Sequence, residues 1–312
     1  MGSGRFSAKD WDTYTTRSAY SSKTREEIFT SRRIDASLDP KNIKIRESVD
    51  SPANPESTPI IVGLDETGSM GGLAEVMIRT GLPTLINNIY DRKPVKDPHV
   101  LCMGLGDAEC DQAPLQVTQF EAEAVPLITQ VEKIYLEGNG GGNRYESYSL
   151  AWLFAALRTK IDSFDKRGKK GYLFTVGDEP PPPALYKTSL NTIFGEDVIQ
   201  PGEMRLSELL TMVSKQWEVY HIIVKEGNFV KSSGIDAVLN PWREVLGERA
   251  IVLDDHTKMA ELIVSVIQIA EGASHKAVAD SWKGDTSVVI RNATKGLTAN
   301  STATSTSGVV TL

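Results

Sequence analysis

Apolar residues along this chain fall into short unbroken runs separated by longer stretches of helical spacing. Ile60-Ile61-Val62-Gly63-Leu64 runs from Pro59 to a closing carboxylate, Asp65. A run with no polar alternation is the pattern of a strand buried on both faces. Val100 to Leu105, Tyr172 to Val176, Val219 to Val224 and the shorter Ala250 to Leu253 repeat it. Helical spacing is expected from Leu73 to Tyr90, Glu121 to Val131, Ser147 to Ile161, Leu206 to Val213 and Lys258 to Ile269. The Ser147 helix presents Leu150, Leu153, Phe154 and Leu157, and Trp152 and Trp217 read as core. Gly106 to Pro114 reads as a turn and Leu115 to Phe120 as a returning strand. Strand alternating with helix predicts an α/β fold, a mostly parallel sheet with helices on both faces.

Three polar regions punctuate the pattern. Residues 1–57 are rich in Ser, Thr, Arg and Asp and end on Ser51-Pro52-Ala53-Asn54-Pro55, a breaker cluster. Ile28, Phe29, Ile34, Ile43 and Ile45 are too many apolar side chains for a solvated linker, and Ile43-Lys44-Ile45 alternates like a strand with one buried face. Residues 25–57 are therefore expected to dock as an arm on a domain spanning 58–271, and the first ~20 residues to be looser. Gly138 to Gly142 is a second breaker, and residues 272–312 read as a polar extension whose Ser- and Thr-rich end is mobile.

Composition adds mostly exclusions. With 40% hydrophobic and 24% charged residues the chain is ordinary globular material. Its net charge of −7 leaves no electrostatic footprint for nucleic acid. No apolar run reaches the roughly 18 residues that span a bilayer, and Met1 to Asp10 lacks the apolar core of a secretory signal. The expectation is a soluble cytoplasmic protein, or a component of a phage particle if phage-encoded. Cys102 and Cys110 then read as reduced thiols, and the glycosylation-like triplets at Asn292 and Asn300 as chance matches. His99, His221, His256 and His275 are scattered and read as structural or surface residues.

Three loops carry candidate chemistry, each after a strand or before a helix, where ligands bind in open α/β sheets. In Asp65-Glu66-Thr67-Gly68-Ser69, alternate residues offer one carboxylate and two hydroxyls, hard oxygen donors suited to Mg²⁺, Mn²⁺ or Ca²⁺ and not to zinc. In the second loop Glu146 stands just before a helix, to ligate an ion or to cap the helix. In the third Asp178 ends a buried strand, a placement that needs a partner for its charge. Glu66 and Glu179 are expected to point to solvent, and Asp107 and Asp111 to lie on a solvated turn, with a second cation site as the alternative. Pro180 to Pro183 reads as a stiff rim beside the third loop.

Leu64-Asp65-Glu66-Thr67-Gly68-Ser69-Met70 resembles the metal-ion-dependent adhesion site of von Willebrand factor A domains, and its Gly-Ser-Met-Gly flank resembles bacterial members. The second loop resembles the integrin β variant, in which a Glu before the helix ligates the metal; the commoner Gly-Gly-Thr is absent. The resemblance covers about residues 58–271. It implies a doubly wound three-layer sandwich with strand order 3-2-1-4-5-6 and one antiparallel edge strand. It implies metal ligands Asp65, Thr67, Ser69, Glu146 and Asp178, with Asn143 in support. It also implies a non-enzymatic module that grips an Asp or Glu of a protein partner through the ion. Other readings stand beside it. Asp65 to Ser69 is open to being a helix N-cap. The same loop resembles the nucleophile loop of haloacid-dehalogenase-type phosphatases, with Asp65 attacking phosphorus and Mg²⁺ assisting, although Glu179-Pro180 replaces the pattern expected after Asp178. The glycines at 138–142 lack the Lys-Ser/Thr of a phosphate-binding loop. The polar arm and tail suit a structural subunit of a bacterial or phage assembly.

Overall fold

The computed structural model describes residues 24–136, 143–195, 198–199 and 202–299. The glycine-rich breaker at 138–142, the first ~20 residues and the Ser/Thr-rich end thus lie outside the described residues. In chain order the strands are β1 (Arg46–Ser48), β2 (Thr58–Asp65), β3 (Pro98–Leu105), β4 (Leu115–Val117), β5 (Thr159–Ile161), β6 (Gly171–Gly177), β7 (Ala184–Tyr186), β8 (Glu203–Arg205), β9 (Trp217–Val224) and β10 (Ala250–Leu253). Six of them form the central sheet, ordered β10-β9-β6-β2-β3-β4. All its pairs are parallel except β3 with β4. Counted along the sheet's own strands this is the 3-2-1-4-5-6 arrangement with one antiparallel edge.

Alternation along the strands builds two cores, one on each face. Ile60, Val62 and Leu64 of β2 join Phe174, Ile222 and Cys102 beneath the helices Leu82–Arg92 and Met259–Ala270. Ile61, Leu101, Leu173 and Val219 face the helices Ser149–Leu157, Leu206–Val213 and Ile235–Leu246, where Trp152, Trp217 and Trp242 are fully buried. At roughly 1.5–3 kcal/mol for each large apolar side chain buried, the two faces supply the main drive to fold. The helix after β2 widens to a π-turn over Met77–Gly81 just ahead of Pro83, whose ring has no N–H to give the helical ladder.

The structure departs from local expectation in three places. The helix expected to reach Ile161 ends at Leu157, and Thr159–Ile161 becomes β5, paired in parallel with β1. The reason is long-range: Arg46 N donates to Arg158 O at 2.8 Å, so the arm competes for this backbone. On the arm, Ile43 is buried while Ile45 is 46% exposed, and the strand starts one residue later, at Arg46. The returning strand is regular only over Leu115–Val117; beyond it Thr118 N still donates to Cys102 O at 3.0 Å and Glu121 bridges back to Val100, while Phe120 is buried against Trp217, with ring centroids 6.3 Å apart and planes 6° apart.

Beyond the core domain, Ile28, Phe29 and Leu38 of the arm are buried in the first cluster. The polar segment from Gly272 carries two helices, His275–Asp280 and Asp285–Ala293. They bury Ala279 and Ile290 in the same cluster, and Trp282 Nε1 donates to Ser265 Oγ at 2.7 Å. Cys102 is buried and Cys110 exposed, and both are free thiols. Among the described residues no helix is long and apolar enough to cross a membrane.

Candidate metal centre

Strand order places the site. β2 is flanked by β3 on one side and β6 on the other, so the strand order reverses at β2, and in open α/β sheets ligands bind at the carboxyl ends of the strands at such a point. Asp65 is the last residue of β2, and Asp178 directly follows β6. Both are fully buried.

The first loop folds back on its own carboxylate. Asp65 Oδ1 accepts the Thr67 N–H at 2.9 Å and the Thr67 hydroxyl at 2.6 Å. Thr67 Oγ1 lies 3.1 Å from Ser69 Oγ, and the Ser69 hydroxyl donates to Asp178 Oδ1 at 2.8 Å. Asp178 Oδ2 accepts the Phe229 N–H at 2.8 Å, from the first turn of the helix Asn228–Ser233 that follows β9. Four of the five expected ligands thus form one hydrogen-bonded chain. These bonds define a structured loop, not a helix N-cap: the helix that starts at Gly72 is preceded by Gly71 and has no side-chain cap.

Glu146, the fifth, is 3% exposed, and its Oε2 has no hydrogen-bond partner among the described residues. Its N–H donates to Pro180 O at 3.3 Å, which joins the second loop to the third. Burial pushes its carboxyl far above the usual range, and the charge of Asp65 adds to this. Asp65 is raised too, first by burial and then by Asp178, against the bonds from Thr67 and Tyr148. Asp178 is raised by burial, partly offset by Ser69 and the Phe229 N–H. Several carboxyls held close together out of water have their charge relieved by protons or by a cation. Three carboxylates and two hydroxyls are oxygen donors of the kind Mg²⁺, Mn²⁺ or Ca²⁺ takes, and the orphaned Oε2 of Glu146 is an acceptor in want of a positive partner. The residues fit a divalent ion.

The flanking acids differ from expectation. Glu66 is not in solvent but 3% exposed. Its N–H donates to Leu105 O and extends the sheet ladder, so its side chain falls on the face opposite Asp65. There it accepts from Gln116 Nε2 at 2.6 Å, and Gln116 holds the Tyr135 backbone with both ends of its amide. A methyl on Gly104 would lie 2.6 Å from the Glu66 carboxylate, so only glycine leaves that room. Glu179 is 9% exposed, and burial, with the charges of Asp65 and Asp178, lifts its carboxyl to about 7. Asp107, expected on a solvated turn, is fully buried and accepts from Asn143 Nδ2 and the Glu109 N–H. Asp111 Oδ2 accepts the Asp107 N–H at 2.7 Å, in space that Gly106 leaves open.

Tyr148, Gly177 and Gly227 had no local signal in the sequence. The Tyr148 hydroxyl donates to Asp65 Oδ2 at 2.6 Å and accepts the Glu179 N–H at 3.2 Å. Gly177 and Gly227 leave the space taken by Tyr148 Oη and by Asp178: added methyls would meet them at 2.1 and 2.2 Å. His99 and His221 are buried and hydrogen-bonded to Ser48 and Thr175. His256 lies 2.6 Å from Glu226, and with Asp255 these two form a separate group whose ligand atoms lie within 4.8 Å of one another.

No protein-family model and no curated protein matches the sequence. Solved structures do show likeness. The chain is similar to the pilus adhesin SpaC from Lactobacillus rhamnosus GG in its open conformation, with 11% identity over 73% of this chain and 31% of that one at a TM-score of 0.46. It is similar to a von Willebrand factor type A protein from Catenulispora acidiphila, with 10% identity, 70% and 44% coverage and a TM-score of 0.38. A third is proximal thread matrix protein 1 from the mussel byssus with a zinc-occupied MIDAS motif, with 13% identity, 69% and 46% coverage and a TM-score of 0.40. The chain spans less than half the length of each of these three. The assignment of the fold rests on the strand order and register described above.

Proposed function

We propose that this protein is a divalent-metal-dependent binding module of the von Willebrand factor A type, and not an enzyme. Asp65, Thr67, Ser69, Glu146 and Asp178 hold one Mg²⁺ or Mn²⁺ ion. The observation that carries the reading is the meeting of three loops on buried carboxylates, one of whose oxygens, Glu146 Oε2, has no hydrogen-bond partner among the described residues. Held by these residues, the ion would supply an electrophilic centre that favours an anionic ligand. The partner is therefore a protein that presents an Asp or Glu side chain. Thr67 and Ser69 are neutral donors, so they leave more of the ion's charge for that carboxylate than further acidic ligands would.

The test is calorimetry on metal-stripped full-length protein. One Mn²⁺ or Mg²⁺ per chain is expected, lost in Asp65→Ala. Undiminished binding in that variant removes the assignment. Pull-down with and without EDTA then asks whether partner capture follows the metal.

A further inference from the structure

We propose that Tyr148 sets which divalent ion the site prefers, by withholding one oxygen of Asp65 from it; the inference rests on the metal reading above. Tyr148 is fully buried, and its ring meets those of His221 and Trp242 with centroids 4.8 and 5.7 Å away. A Phe would fill the same space, so packing alone does not call for a hydroxyl. That hydroxyl lies in a slot that a bare glycine makes possible, because a methyl on Gly177 would stand 2.1 Å from it.

The direction of its proton follows from its neighbours. The Glu179 N–H, 3.2 Å away, can only donate, so it takes an acceptor site on the phenol oxygen. A phenol has one proton, and it is committed to Asp65 Oδ2 at 2.6 Å. The other oxygen, Oδ1, already accepts two bonds from Thr67. Asp65 is therefore clamped at both oxygens and cannot turn both toward an ion. Ca²⁺ takes about 6–8 oxygens and uses bidentate carboxylates freely, whereas Mg²⁺ is small and octahedral, with ligands near 2.0–2.1 Å. Mn²⁺ shares the preference for hard oxygen donors. A clamped Asp65 and two hydroxyls suit the smaller ions and penalise Ca²⁺.

The experiment titrates the metal-stripped full chain with MnCl₂ and, separately, CaCl₂, in wild type, Tyr148→Phe and Gly177→Ala. The first variant deletes the hydroxyl, and the second pushes it from its slot. Wild type should prefer Mn²⁺. Each variant should shift the Mn²⁺-to-Ca²⁺ affinity ratio toward Ca²⁺ by about tenfold, the size of effect seen when the group holding a metal ligand is removed. Each is read only where it keeps a cooperative thermal transition, so Gly177→Ala decides if Tyr148→Phe does not fold. An unchanged ratio, including an equal loss for both ions, shows that Tyr148 is merely structural. A wild-type preference for Ca²⁺ overturns the proposal without any variant. Wild type that takes neither ion removes the metal reading itself, an outcome distinct from these.

Discussion

Ser69 and Asp178 are 109 positions apart, yet the serine hydroxyl donates to the aspartate's Oδ1 at 2.8 Å. The bond ties the loop after β2 to the loop after β6 across the point where strand order reverses. The first turn of the helix Asn228–Ser233, after β9, locks the pair: Asn228 N donates to Ser69 O at 3.1 Å and Phe229 N to Asp178 Oδ2 at 2.8 Å. The site is built by the sheet, with each loop held by another.

That locking makes Gly227 a sensitive position. A methyl there would lie 2.2 Å from Asp178, whose own backbone is fixed at the strand end. Gly227→Ala is expected to weaken Mn²⁺ binding by at least about tenfold while the metal-free protein still folds cooperatively. Calorimetry paired with a thermal melt checks both halves. Wild-type affinity in the variant would show that Asp178 does not contribute.

The arm is tied down by charge as well as by apolar contacts. Asp50 accepts from Arg167 Nη1 and Nη2 at 2.7 and 3.1 Å and from Ser57 N and Oγ. Burial alone would raise its carboxyl, but the bonds from Arg167 and Ser57 outweigh this and hold it well below its ordinary value of 3.8. A depressed folded value stabilises the protein above the unfolded value and is lost as the pH falls through the folded one. Asp50→Asn should therefore cost about 1 kcal/mol near neutral pH, with the bidentate pair discounted for its surface setting. The gap from wild type should narrow as the pH drops below 3.8. Urea denaturation at a series of pH values measures it, and a pH-independent gap would show that the charge plays no part.

The C-terminal helices should be part of the cooperative unit. Ile290 is fully buried within the core beneath the Met259–Ala270 helix. Ile290→Ala is expected to destabilise by about 2–5 kcal/mol, the range for truncating a buried aliphatic side chain. Chemical denaturation reads this directly, and an effect under about 0.5 kcal/mol, typical of surface sites, would mean that the helices are separable.

No phosphatase activity is expected. The acidic pattern that haloacid-dehalogenase-type phosphatases carry after the loop-three Asp is absent, since Glu179-Pro180 follows Asp178. The measurement is Mg²⁺-dependent hydrolysis of p-nitrophenyl phosphate by wild type and Asp65→Asn. Turnover that vanishes in the variant would replace the binding-module reading with an enzymatic one.

The sequence alone determined the features that short-range physics controls. Unbroken apolar runs marked the strands β2, β3, β6, β9 and β10, because a strand covered on both faces has no polar side. Carboxylates at the ends of two of them, Asp65 and Asp178, marked the edge where a site forms. Only the tertiary structure decided what depends on neighbours distant in the chain. Glu66 and Glu179 look like solvated flanks, but Gln116, across the sheet edge, receives one and the buried acid cluster encloses the other. Thr159–Ile161 continues a helical period, yet the arm at Arg46–Ser48 offers it a strand partner and wins. The part played by Tyr148 is invisible locally, since its hydroxyl acquires meaning only where Asp65, Glu179 and the bare Cα of Gly177 surround it. Periodicity reports which face of an element is buried; which polar group meets which is settled by the strand order that brings their loops together.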